Sequence, residues 1–171
     1  MKKIILILIS VLLIGVGYIY FEESTFSPLK EKDFQHLFPN SSEDVKKECS
    51  SDFLGISTRS EFFEIYTYTG KFNIDSTYPT FKNKWENKEF TNDVLFSKWK
   101  SCPIDSTTMS LYKFILTANN LERNNCFSSL NQELNDPNNF YSFVYFNELE
   151  QYFLLYSKDE NKLFYIRKKG F

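Results

Sequence analysis

Histidine, glycine and cysteine are scarce in this chain, with one, five and three residues among 171. A single histidine, His36, removes the His-rich catalytic zinc sets. It also leaves Ser–His or Cys–His nucleophilic machinery with only one base to draw on. His36 stands next to Leu37 and Phe38 and far in sequence from every cysteine, so it reads as a surface or packing residue. Few glycines argue against Gly-rich phosphate loops and flexible linkers. Like-charge blocks are absent too: 20 basic and 22 acidic residues are interspersed, and the longest basic element is Arg167-Lys168-Lys169. A nucleic-acid binder shows a basic stripe or excess, so nucleic acid is not an expected partner. No metal-ligand spacing occurs, the Asp/Asn-rich turns at 136–139 and 158–161 lack the pattern of a calcium loop, and no cofactor is expected.

Carboxylates are present, but no spacing singles out a pair for acid–base work. Glu61 and Glu64 are an odd number of positions apart and fall on opposite faces of a strand, and Glu148 and Glu150 stand in a turn.

What the chain has is one long apolar run and many aromatics. Ile4–Phe21 carries no charge, follows Lys2-Lys3 and precedes Glu22-Glu23. Eighteen helical residues rise about 27 Å, enough for a thin hydrocarbon core. The flanking lysines place the N-terminus in the cytoplasm and the rest outside. The rival reading is a cleaved signal peptide with Gly15-Val16-Gly17 at its cleavage site. The run continues through Tyr18-Ile19-Tyr20-Phe21, which favours an uncleaved anchor. Residues 1–21 are thus read as a membrane anchor or signal peptide, 22–27 as a short stalk and 28–171 as one extracytoplasmic domain. About 150 residues can bury about 68–70% of their unfolded surface without metal or many disulfides.

Phe, Trp and Tyr make up 19% of the residues, a composition that favours strands on a half-buried face. The pattern predicts an α+β fold, a mainly antiparallel sheet of about six strands preceded by one or two short helices. One helix starts at Ser27-Pro28 and stops at Leu37, before Pro39. A second starts at Ser41, with Val45 and Cys49 as a thin apolar stripe. The predicted strands are Glu61–Tyr68, Val94–Lys100, Leu111–Ala118, Phe140–Phe146, Tyr152–Ser157 and Leu163–Lys168. The last three form an antiparallel meander, and Cys126–Leu134 holds a short helix.

Three cysteines in an oxidising compartment suggest one disulfide and one spare thiol. Cys102–Cys126 is the preferred pair because both flank the Leu111–Ala118 strand. Three buried thiols are the alternative.

Strand alternation sorts the side chains into two sets. One holds Phe63, Ile65, Phe153, Leu155, Phe164 and Ile166, plainly core. The other holds Tyr66, Tyr68, Tyr141, Tyr145, Tyr152, Tyr156 and Tyr165, phenols able to sit half in water. Tyrosine offers large, stiff area with one polar handle and is enriched at binding hot spots. The sequence therefore points to a non-catalytic, membrane-tethered extracytoplasmic domain that binds a protein through its tyrosine face. Toxin immunity or an envelope accessory role fits by analogy of size and address only. The alternative is a small secreted or tethered carboxylate-dependent hydrolase acting on glycans, with Trp85 or Trp99 stacking sugar. A pocket joining two carboxylates to either tryptophan would favour it.

Overall fold

The computed structural model describes residues 7–17, 28–39, 44–54, 61–117 and 125–170. Residues 7–17 form helix α1, and its aliphatic side chains are exposed, from 51% at Ile9 to 72% at Ile14. A Cβ added at Gly15 or Gly17 would meet nothing within 4 Å, so these positions pack against nothing among the described residues. No described helix is long and apolar enough to cross a membrane. The ends of the predicted span, residues 4–6 and 18–21, and the stalk 22–27 lie outside the described residues.

The body is α+β. Its sheet comprises β1 (Lys46–Asp52), β2 (Phe62–Thr69), β5 (Leu95–Phe96), β6 (Lys100–Ser101), β7 (Phe140–Asn147), β8 (Glu150–Ser157) and β9 (Lys162–Lys169), while β3 (Lys84–Trp85) and β4 (Lys88–Glu89) form a separate hairpin. The spatial order is β1-β2-β9-β8-β7-β5, with β6 also beside β7 and every pairing antiparallel. The helices of the body are α2 (Glu31–Leu37), α3 (Ser106–Leu111), α4 (Lys113–Thr117) and α5 (Leu130–Glu133).

The C-terminal meander forms as its turn chemistry requires, through turns at 148–149 and 158–161, with Asn161 at a φ of 49°. Both faces of the meander are covered. Every residue of β8 is buried, the mark of a strand packed on both sides. One face meets α2 and the segment from Phe72 to Trp99. The other meets α3, α4 and the region from Cys126 to Leu134.

Two predicted elements change type. Leu111–Ala118 is helical through Thr117, and Ala118 lies outside the described residues. Asp105 caps α3 by accepting from the Thr108 amide at 2.8 Å, and Thr108, Tyr112 and Ile115 are buried at helical spacing. The region around Val45 and Cys49 is not helical but becomes edge strand β1 beside β2. The start of that predicted helix, residues 41–43, lies outside the described residues.

The disulfide is Cys49–Cys126, with Cα atoms 6.3 Å apart, and not Cys102–Cys126. With α3 and α4 in place of a strand, Cys102 and Cys126 no longer flank a common element. Cys49 instead looks from β1 toward the helical face, where Cys126 also packs. Cys102 is buried and free. Burial, then Asp136 and Glu133, push its thiol up to about 12.

Candidate functional site

The predicted tyrosine face divides in two. Hairpin register pairs Tyr141 with Leu155, Tyr145 with Gln151 and Val144 with Tyr152. Cross-strand partners share a face, so Tyr141 and Tyr145 sit on the Phe/Ile side, opposite Tyr152 and Tyr156. The remaining five, Tyr66, Tyr68, Tyr152, Tyr156 and Tyr165, share the other side. Six of the seven are at most 3% exposed, so they offer no surface to a partner. Only Tyr145 keeps partial exposure.

The reason the phenols tolerate burial is a set of acids placed among them. Tyr66 donates to Glu64 at 2.7 Å, Tyr165 to Glu86 at 2.6 Å and Tyr152 to Glu150 at 2.9 Å. Arg167 stands between two of these pairs, 3.4 Å from Glu64 and 3.7 Å from Glu86, and Lys88 pairs with Glu150. Tyr68 accepts the Leu29 amide at 2.7 Å, which ties the chain leading into α2 to β2. Burial, aided by Glu64, raises the Tyr66 phenol, and burial, aided by Glu150, raises Tyr152. These hydroxyls therefore stay protonated donors. Burial also raises Glu64 despite the opposing pull of Arg167 and Tyr66. For Arg167 burial opposes the charge, but the nearby carboxylates of Glu86 and Glu64 outweigh it and hold the guanidinium above its ordinary range.

Glu86 reaches this network from the tip of the β3–β4 hairpin. Glu86 and Asn87 have φ of 50° and 63°, the left-handed pair of a two-residue type I′ turn. Asn is at home there and Glu is not. Its contacts with Tyr165 and Arg167 hold the conformation.

Above the network lies a cavity of about 180 Å³, lined by residues that include Pro28, Lys30, Lys32, Asp33 and His36 from the α2 side and Lys84, Trp85, Glu86 and Asn87 from the hairpin. It does join two carboxylates to Trp85, but both are occupied. Asp33 accepts the Lys30 amide at 2.8 Å, and Glu86 holds Tyr165 and Arg167. Burial and then the nearby Lys82 charge lower the His36 pKa, with Lys84 and Lys32 adding to the effect and Asp33 opposing it. Trp99 is core, its indole N–H donating to the Leu37 carbonyl at 2.8 Å.

A second, wider groove runs along the β5 edge, lined by Val94, Leu95, Phe96, Lys100, Asp105, Thr107, Thr108, Leu111 and Phe143. Leu95 and Phe96 are 51% and 48% exposed. Leu95 lies opposite Tyr145, so the one partly exposed member of the seven candidate tyrosines belongs to this rim. Lys100 and Asp105 form a rim ion pair at 3.2 Å.

Sequence reading missed the acid–phenol–guanidinium network. The available signal was charge inside apolar strands, namely Glu64 between Phe63 and Ile65 and Arg167 after Ile166, since such residues are almost never fully buried unless paired. Among the described residues no His/Cys/Asp/Glu cluster could hold a metal ion. No protein-family model, characterised protein or solved structure matches the chain.

Proposed function

We propose that this chain is a non-catalytic, extracytoplasmic protein-binding domain tethered at a membrane by residues 1–21, and that its docking surface is the β5 edge. The observation that carries the reading is the pair Leu95 and Phe96, half exposed beside an open groove. Exposed apolar side chains grouped beside a groove mark an association surface. The opposite edge, β1, is guarded by Lys46, Lys47 and Glu48 and by a register shift between Lys47 and Cys49. The tether draws support from α1, whose bare aliphatic surface is costly in water and favourable in lipid.

The partner this surface fits wraps the edge, presenting apolar side chains to Leu95 and Tyr145 on one face and to Phe96 on the other, with polar groups for Lys100 and Asp105 at the rim. A photo-crosslinking residue at position 96, activated in the native envelope, should give one discrete protein adduct. Leu95→Asp should abolish that adduct while the sheet remains folded. Absence of an adduct at 96, or its persistence with Leu95→Asp, would refute the β5 edge as the docking surface.

A further inference from the structure

The cavity between α2 and the β3–β4 hairpin has polar groups of one kind left uncommitted. Lys30, Lys32 and Lys84 line it, Lys82 acts on His36 from beside it, and none of the four makes an ion pair among the described residues. Glu89 lies opposite Lys84 in the hairpin register, yet no ion pair joins them. The two acids of the lining are engaged elsewhere, as described above. Trp85, 5% exposed, has an indole N–H without an acceptor among the described residues. Asp33, like the lysines, makes no ion pair among the described residues, so the lining sets three lysines against one acid without a counter-charge, an excess of positive charge that suits an anion.

We propose that this cavity binds a phosphoryl oxyanion through Lys30, Lys32 and Lys84. Lysine suits a tetrahedral, multiply charged oxyanion because it is a point charge on a flexible stem, whereas planar carboxylates favour the fork of arginine. The one arginine among the described residues, Arg167, is committed to Glu64 and Glu86. The phosphoryl group has two sources, free phosphate or the headgroup of an anionic phospholipid. The headgroup source rests on the membrane-tether reading. Pro28 lines the cavity seven positions after Phe21, a span of at most about 25 Å of extended chain. A domain tethered that closely would hold the cavity within reach of lipid headgroups.

The test uses the full chain reconstituted in vesicles of phosphatidylcholine alone or with a quarter phosphatidylglycerol, with Trp85 fluorescence as the readout and Trp85→Phe to establish that the signal is its own. Inorganic phosphate should change the fluorescence saturably in the neutral vesicles if the free ion is the ligand. A change that requires phosphatidylglycerol identifies the headgroup. In either case Lys30→Gln/Lys32→Gln/Lys84→Gln, three exposed positions, should weaken the response at least tenfold. No response to either probe, or one that the triple variant leaves intact, overturns the proposal. Vesicle flotation in the same samples reports the tether separately. A chain that fails to float but still binds phosphate in a lysine-dependent way loses the tether and keeps the site.

Discussion

The face of the sheet that carries Phe153, Phe164 and Ile166 is mostly apolar, its buried polar groups being neutral ones such as Thr67, Gln151, Ser157 and the phenols of Tyr112 and Tyr141; the face that carries Tyr66, Tyr152 and Tyr165 is equally dry but threaded with ionised and hydrogen-bonded groups. Phe153, Phe164, Tyr66 and Tyr165 are all fully buried. On the first face, most side chains only need to fill space, and burying one such side chain contributes about 1.5–3 kcal/mol. On the second, each phenol oxygen must also find a partner, because a buried hydroxyl without one costs about 1–3 kcal/mol. Glu64, Glu150 and Glu86 supply those partners to Tyr66, Tyr152 and Tyr165, and with Arg167 beside Glu64 and Glu86 their charges are balanced only while the set is complete. Shape does most of the specifying on the first face, and shape plus charge and hydrogen-bond stoichiometry specifies the second. The second face is therefore the less tolerant of conservative change.

The comparison can be broken most severely from the hydrocarbon side by opening the disulfide that fastens β1 to it. Cys49→Ser together with Cys126→Ser frees a loop of 77 residues, worth about 4.5 kcal/mol in chain-entropy terms. The shift should appear as a lower urea midpoint, and reductant should produce it in the native chain but not in the double variant.

Arg167→Met attacks the polar face and should cost about 3–5 kcal/mol near neutral pH, because Glu64 and Glu86 lose their counter-charge. The pH dependence has a definite sign. Glu64 is an acid whose pKa is raised in the fold by burial. Its contribution is intact below the ordinary carboxylate range and is lost as pH rises through the folded value. Without Arg167 that value climbs further. Denaturant midpoints should therefore show the variant closest to the native chain at about pH 4 and furthest from it near neutrality.

Tyr165→Phe sharpens the contrast with one atom. Glu86 loses its 2.6 Å donor, and a hydrogen bond to a charged group is worth about 1.5–3 kcal/mol. Ile166→Leu, its neighbour on the other face, should cost less than about 1.5 kcal/mol, since the swap conserves volume and stays apolar. Equal losses in paired urea titrations would erase the distinction between the faces. The smallest effect belongs to Tyr141→Phe. Its partner Asp105 is largely solvated and keeps the Thr108 and Lys100 contacts, so the cost should stay near about 0.5–1.5 kcal/mol.

The parts of the fold legible in the sequence were those set by local pattern. The C-terminal meander was readable from period-two alternation and turn residues, and α2 from the proline before it and Phe34, Leu37 and Phe38 on one side. Residues 111–117 were misread as a strand because Leu111–Ala118 is apolar without a decisive period, and the Asp105 cap lies outside the run. The disulfide was misassigned for the same reason, since the pairing depended on that strand. The tyrosines were placed on alternating positions correctly within each strand, yet two errors followed. The β7–β8 register, a tertiary fact of one residue, put Tyr141 and Tyr145 on the wrong side. Exposure could not be read at all, because what covers a sheet face is a question of distant segments, here 72–99 and α2. The lysine-lined cavity was invisible for a related reason. Lys30 and Lys84 are 54 positions apart in the chain and meet only when α2 docks beside the hairpin.

Hydroxyl-radical footprinting of the folded full chain tests the central claim most directly, because it reads the buried tyrosine face and the open β5 edge in one experiment. The account predicts rapid oxidation at Leu95, Phe96 and Tyr145 and protection at Tyr66, Tyr68, Tyr152, Tyr156 and Tyr165. Oxidation of Tyr152 or Tyr165 in the native state at the rate of Phe96 would contradict it, and would return the docking surface to the tyrosine face.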